Sequence, residues 1–275
     1  MAKIILFDTE TTGVDKEDRI IQVGAMIIHN EDNIEIFDEL CSTEIDTKLQ
    51  AMMVHGITPE QLLDKPKYQD TNFAKRLNEF NTKENYLVAH NIPFDLSMVE
   101  KEGFVNNYQI IDTLRCSQHL IQSPYHKLQY LRYSLKLYQQ ESIECQKYNL
   151  EIRPHDAISD VLVMKLLFKK LIELSEEKYP TLDPMAKLLE LTKQPVLLDK
   201  LTFGKYKGKT FKEVIRDDSD YMEWFKKNIT MNENLEYTIS YYEKKMLYSA
   251  KRLGQGQVDK KLHLQIDDDS DLFDK

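Results

Sequence analysis

The stretch Phe7-Asp8-Thr9-Glu10-Thr11-Thr12-Gly13 follows a short apolar run, Ile4-Ile5-Leu6-Phe7, and sets two carboxylates two residues apart. On a strand successive side chains alternate faces, so Asp8 and Glu10 point the same way. Two like charges on one face repel unless a cation or a proton lies between them. A strand carrying paired acids is therefore a candidate metal site; the plainer alternative is an acidic strand end running into a solvated turn. Three more groups extend the candidate: Asp95, in the first turn of a helix opened by Pro93; His155, after Pro154; and Asp160, one turn inside the helix that follows. Five helical residues turn roughly 140°. His155 and Asp160 therefore share no helix face, but a histidine in the entering loop can overhang the site that Asp160 faces.

Four carboxylates with no thiol nearby favour a hard, oxygen-preferring cation such as Mg²⁺ or Mn²⁺. Four acids exceed the needs of one such ion and suit two, roughly 3.5–4 Å apart, an arrangement fitted to in-line displacement at phosphorus. The attacking water must also lose a proton, and an imidazole near its ordinary pKa is an apt base at neutral pH. His155 fits that role. Residue types and spacing together point to phosphodiester hydrolysis.

The elements that must hold these groups are legible from periodicity. Residues 3–8, 19–29 and 34–41 read as three strands with short connections, hence antiparallel neighbours. Helices are predicted at 47–54, stopped by Gly56, at 59–64 and at 72–80. A fourth strand, 86–89, leads into the helix that carries Asp95, ending near Gly103. Residues 110–111 form a short fifth strand, and 113–121 and 128–137 are helical. Leu128, Leu131 and Leu135 make an apolar stripe suited to core packing. The segment after Asp160, with Val161, Met164, Leu167, Phe168, Leu171 and Ile172, is a strongly amphipathic helix.

With 275 residues, 41% hydrophobic and 30% charged, the chain can build one good-sized core and a smaller second unit. Its net charge of −9 argues against a generic nucleic-acid coat protein with a broad basic surface. It leaves room for an enzyme that grips phosphates through bound metal and a local basic patch. Cys41, Cys116 and Cys145 lack any paired spacing, which fits a reducing cytoplasm. No apolar run is long enough for a membrane span. A soluble cytoplasmic protein is expected.

The Asp8-Thr9-Glu10 triplet, the stretch His90-Asn91-Ile92-Pro93-Phe94-Asp95, and His155 with Asp160 resemble, in this order, the DnaQ-like DEDDh 3′→5′ exonucleases. The resemblance covers residues 1 to about 175 with all five functional positions filled. It implies an α/β fold, a ribonuclease-H-like mixed five-stranded sheet flanked by helices. It further implies that Asp8, Glu10 and Asp160 hold one metal ion, and that Asp8 and Asp95 hold a second. Mononucleotides would leave one at a time from the 3′ end. By the same resemblance, the backbone at Thr11, Thr12 and Gly13 approaches the terminal nucleotide, unless Gly13 simply ends a turn. His55 lies in a loop that packs on the terminal base, or in a helix C-cap. Asn91 contacts sugar or phosphate, or caps a helix; Phe94 stacks on a base or packs in the core.

A domain boundary is expected in the Pro-containing stretch 179–199, read as a charged linker with one helix at 185–192. The predicted units are an exonuclease domain at 1–178, a small basic module at 200–253 and a disordered acidic tail at 254–275. The module opens with Leu201-Thr202-Phe203-Gly204-Lys205-Tyr206-Lys207-Gly208-Lys209-Thr210-Phe211. Five lysines and no acid lie between residues 200 and 212. This reads as a β-hairpin that presents lysines and a ring, with helices at 219–228, capped by Ser219, and at 233–253. It resembles the C-terminal module of exodeoxyribonuclease X-type proteins. Lys205, Tyr206, Lys207 and Lys209 then suit a phosphate-tracking, base-stacking surface, or a hairpin that merely packs on the enzyme. The leading expectation is a metal-dependent exonuclease acting on single-stranded DNA 3′ ends in repair or proofreading, with a polymerase or sliding clamp as a conceivable partner. RNA trimming and a non-catalytic nucleic-acid adaptor are the alternatives.

Overall fold

The computed structural model describes residues 2–153 and 155–255, with side chains through Tyr248. The tail expected to be disordered lies outside the described residues beyond Gln255. The chain divides into two compact units, Met1–Gln194 and Pro195–Lys275.

In the first unit β1 (Ile4–Thr11), β2 (Ile20–Asn30) and β3 (Asn33–Leu40) form an antiparallel meander of β-branched and apolar residues. Helices α1 (Leu49–His55), α2 (Pro59–Leu62) and α3 (Asn72–Glu79) follow. Gly56 ends α1 at φ 70°, a left-handed conformation that glycine adopts without strain. Next come β4 (Tyr86–Ala89), α4 (Ile92–Lys101), β5 (Gln109–Asp112) and α5 (Thr113–Leu120). Strands β4 and β5 run parallel to β1, so the sheet is mixed, in the order β3-β2-β1-β4-β5. The first unit closes with α6 (Leu128–Ser134), α7 (Tyr138–Tyr148), α8 (Ala157–Lys178) and α9 (Pro184–Lys193).

Alternation along the strands sends side chains to two helical layers. Ile5, Phe7, Val23 and Ala25 pack with Phe73, Leu77, Met98 and Val99 of α3 and α4. On the other face Leu6, Met26, Val88 and Ile111 meet α8 through Leu162, Leu166 and Leu167. Each such buried side chain contributes roughly 1.5–3 kcal/mol. Asp8 and Glu10 continue the Leu6 face toward the first turn of α8.

Two sequence expectations change here. Residues 179–199 are not a free linker: α9 docks on the first unit, with Leu188 and Leu191 wholly buried beside α8. The helix expected at 128–137 ends at Ser134, and α7 follows it. Helix α7 lacks an apolar stripe, and Glu141 is its buried residue.

In the second unit α10 (Phe211–Asp217), α11 (Ser219–Asn228) and α12 (Glu233–Gln255) enclose Leu201, Phe211, Val214, Met222, Phe225, Leu235 and Ile239. Thr210 and Glu213 form a reciprocal cap on α10, and Asp218, rather than Ser219, caps α11. The expected β-hairpin does not form. Gly204 and Gly208 both take positive φ, 77° and 89°, and coil residues 203–209 into successive turns closed by a single bridge, Lys200 to Thr210. Among the described residues no helix is long and apolar enough to cross a membrane.

Candidate metal centre

Asp8 and Glu10 stand on β1 opposite Gly24 and Gln22 of β2. Asp160 sits in the first turn of α8, and carboxylate oxygens of all three lie within 4.8 Å of one another. The approach of α8 depends on Gly24: a Cβ there would fall 2.2 Å from the backbone of Ala157 and Ile158. Gln22 ties the same helix start to the sheet. Its Nε2 donates to Asp156 Oδ1 at 2.8 Å, and its Oε1 accepts from the Ala157 amide at 3.3 Å. Asp95, in the first turn of α4, enters from the other helical layer. It is 3% exposed, and its Oδ1 accepts from the Thr9 amide at 3.0 Å and the Thr9 hydroxyl at 2.7 Å.

The crowding shows in the acidity of these groups. Burial pushes the Asp8 carboxyl well above the usual carboxylate range, and Asp95, Glu10, Asp160 and Asp156 push it further. Burial, then Asp160 and Asp95, raises Glu10 to about 8. Burial lifts Asp95 to about 7 even against its bonds from Thr9. Asp160 is raised by burial, opposed by His155 and by Gln129. Arg132, which also acts on Asp160, is committed to Glu141 by two bonds of 2.5 and 2.6 Å. Hard oxygen donors crowded together in this way fit divalent cations well.

A stability signature follows from these shifts. Each acid binds its proton more tightly folded than unfolded, so stability falls as pH rises between the two values. For Glu10 that window runs from 4.5 to about 8, and for Asp95 from 3.8 to about 7. In EDTA the melting temperature should fall between pH 5 and pH 8, and Mg²⁺ or Mn²⁺ should restore most of the loss at pH 8. A melting temperature in EDTA that rises over this range would contradict the clustering.

His155 occupies the loop before α8, exposed, with left-handed φ of 58°, close enough to Asp160 to make that carboxyl more acidic. The expected nucleotide contacts fare unevenly. Thr12 is fully buried: its hydroxyl donates to Asp18, its amide donates to the Arg19 carbonyl and its carbonyl accepts from the Lys48 amide. The Thr11 hydroxyl, also buried, donates to the Gly13 carbonyl at 2.6 Å. Gly13 is required by space, since a Cβ would meet Asp18 Oδ2 at 2.5 Å. His55 accepts from the Ile57 amide through Nδ1 and turns its other nitrogen inward. Asn91 makes no capping bond. It takes φ 73° at the start of α4, leaving its side chain exposed. Phe94 is half-buried against the α3/α4 layer.

Sequence reasoning missed the support behind Asp160. Gln129 Nε2 donates to Asp160 Oδ1 at 2.6 Å, and Gln129 Oε1 accepts from Arg132 Nη1 at 3.1 Å. The chain Glu141–Arg132–Gln129–Asp160 thus spans α7, α6 and α8, and only the tertiary fold assembles it. Groups that orient a metal ligand typically change metal affinity by 10- to 100-fold when removed. Gln129→Ala should weaken Mn²⁺ binding by about tenfold in a calorimetric titration; unchanged affinity would show the bond to be incidental.

In the second unit Lys205, Lys207 and Lys209 are exposed, but Lys205 is paired with Asp218 at 3.0 Å. The Tyr206 hydroxyl donates to the same carboxylate at 2.6 Å, and its ring packs edge-on against Tyr221. Among the described residues Lys207 and Lys209 are not in a salt bridge, and the Lys209 ammonium lies 5.7 Å from the centre of the Tyr206 ring.

A family model described as Exonuclease matches residues 5–168, and one described as Exodeoxyribonuclease X-like C-terminal matches 201–230. Exodeoxyribonuclease 10 of Escherichia coli K12 is 27% identical over 86% of this chain and 97% of its own length. A PolC-type DNA polymerase III from Caldanaerobacter subterraneus is 27% identical over 64% of this chain but only 12% of that protein. A solved structure described as the zinc-bound form of the E. coli ExoI–ssDNA complex shares the fold, with a TM-score of 0.50 and 18% identity. It covers 69% of this chain and 43% of that one.

Proposed function

Because this chain belongs to the exonuclease family, we propose that it removes mononucleotides from DNA 3′ ends, preferentially single-stranded ones, by divalent-metal-dependent hydrolysis. The observation that carries the reading is the convergence of carboxylate oxygens of Asp8, Glu10 and Asp160 within 4.8 Å of one another. In this reading Asp8, Glu10 and Asp160 hold one Mg²⁺ or Mn²⁺, and Asp8 with Asp95 holds a second. Bound there, the cations would supply charge neutralisation at the phosphate and a lowered pKa for the attacking water. The chain does the rest. The two Thr9 bonds keep Asp95 in one rotamer, and Gln129 does the same for Asp160. His155 takes the proton of the attacking water on a ring nitrogen and passes it to solvent, to which it is open. Asn91 and Phe94 border the place of the terminal nucleotide.

DNA is favoured over RNA by the likeness to Exodeoxyribonuclease 10, which runs along nearly the whole of both chains. The same likeness favours a free-standing repair enzyme over a polymerase subunit. Lys207 and Lys209 of the second unit would track the phosphate backbone. An adaptor role is disfavoured, since no carboxylate of the set is missing. Free Cys41, Cys116 and Cys145 suit a cytoplasmic setting.

The test is digestion of a 5′-labelled single-stranded DNA oligomer and its RNA counterpart with Mg²⁺ or Mn²⁺. A ladder that shortens one nucleotide at a time on DNA, abolished by EDTA, is the expected result. Internal cuts, or an intact strand, would overturn the proposal.

A further inference from the structure

We propose that the exposed tyrosines on and around α6 form a stacking platform for the bases of the strand just upstream of the scissile end. This deepens the nuclease reading and rests on it. Tyr125, Tyr130, Tyr133 and Tyr138 are between 38% and 63% exposed. Their rings form two pairs, Tyr125–Tyr130 at 5.2 Å and Tyr133–Tyr138 at 5.8 Å between centroids. Large exposed aromatic rings grouped in one segment mark a binding surface more than scattered apolar residues do.

Position links the platform to the chemistry. Gln129, whose amide reaches Asp160, lies one turn from Tyr133 on α6, so the two share a helix face, with Tyr130 beside them. A strand whose terminal phosphodiester sits at Asp8, Glu10 and Asp160 meets these rings as it leaves. Charge agrees. From Thr113 to Gln140 there is no Asp or Glu, although acids make up 46 of the 275 residues. Within that stretch Lys127 and Lys136 are exposed. An acid-free aromatic band beside a cluster of carboxylates would repel neither phosphates nor bases. Aromatic rings bind every base through its π-face, so the platform holds unpaired nucleotides without reading sequence.

Binding of 5′-fluorescein-labelled oligo(dT) to the full chain, in EDTA so that nothing is cut, tests this. Wild-type affinity should tighten markedly from dT3 to dT12. Tyr130→Ala and Tyr133→Ala should each bind dT12 about tenfold more weakly, the effect expected on removing one base-stacking ring. Tyr130→Phe and Tyr133→Phe should keep wild-type affinity and thereby exclude misfolding as the cause. The same gain with length in the alanine variants would overturn the platform. So would an equal loss at dT3 and dT12, because the rings would then act only by supporting Gln129. A wild-type chain that shows the length-dependent gain but leaves dT12 intact with Mn²⁺ would sink the nuclease reading and retain the platform.

Discussion

Asp8→Ala should abolish metal-dependent digestion, with a fall of at least about 10³-fold, or roughly 4 kcal/mol of barrier. Asp8 is the acid on which the others act: Asp95, Glu10, Asp160 and Asp156 all raise its proton affinity. In the proposed arrangement it is also the ligand common to both cations, so its loss removes more than one bond. The fold should survive, because the variant relieves repulsion within a buried cluster. In EDTA at pH 8 the variant should melt at or above the wild-type temperature, and Mn²⁺ should no longer stabilise it. Digestion within tenfold of wild type would remove Asp8 from the site. A variant that melts much lower would show that the carboxylate serves the fold.

Gly24→Ala should be nearly as damaging for a different reason. The added Cβ would lie 2.2 Å from Ala157 C and Ile158 N, backbone atoms that no rotamer change can move aside. Overpacking in a close-packed interior typically destabilises by 1–3 kcal/mol, and a backbone clash belongs at about 3 kcal/mol or above. For a unit of this size that corresponds to a melting temperature lower by roughly 6–12 °C. Activity should fall as well, since relief requires α8 to lift away from β2, taking Asp160 with it and straining the Gln22 bonds to Asp156 and Ala157. Scanning calorimetry paired with the digestion assay checks both effects. A wild-type melting temperature would mean that α8 does not rest on Gly24.

Much of this site was readable along the chain because it is built from local rules. Alternation on a strand puts Asp8 and Glu10 on one face, and a proline at a helix start puts Asp95 in a first turn. What stayed hidden depends on neighbours distant in sequence. Gly24 resembles any glycine in a strand until α8 is known to cross it. Gln129 gains meaning only when α6 and α8 meet, and Arg132 only through Glu141 of α7, a helix without the apolar periodicity that would announce it. Thr12 lies beside the paired acids in sequence, but its ties to Asp18, Arg19 and Lys48 appear only once the loops after β1 and β3 come together. The loop at 203–209 was misread because two glycines around a Lys-Tyr-Lys suggest a hairpin. With both glycines left-handed, the backbone coils and no ladder forms.

The central claim is that four acids from β1, α4 and α8 jointly hold the reactive cations. Crystals soaked in MnCl₂ and measured at the manganese absorption edge test it most directly. The account predicts anomalous peaks among the Asp8, Glu10 and Asp160 carboxylates and between Asp8 and Asp95, at coordination distances of roughly 2.0–2.2 Å. Manganese bound elsewhere, with these carboxylates bare and separated, would contradict it.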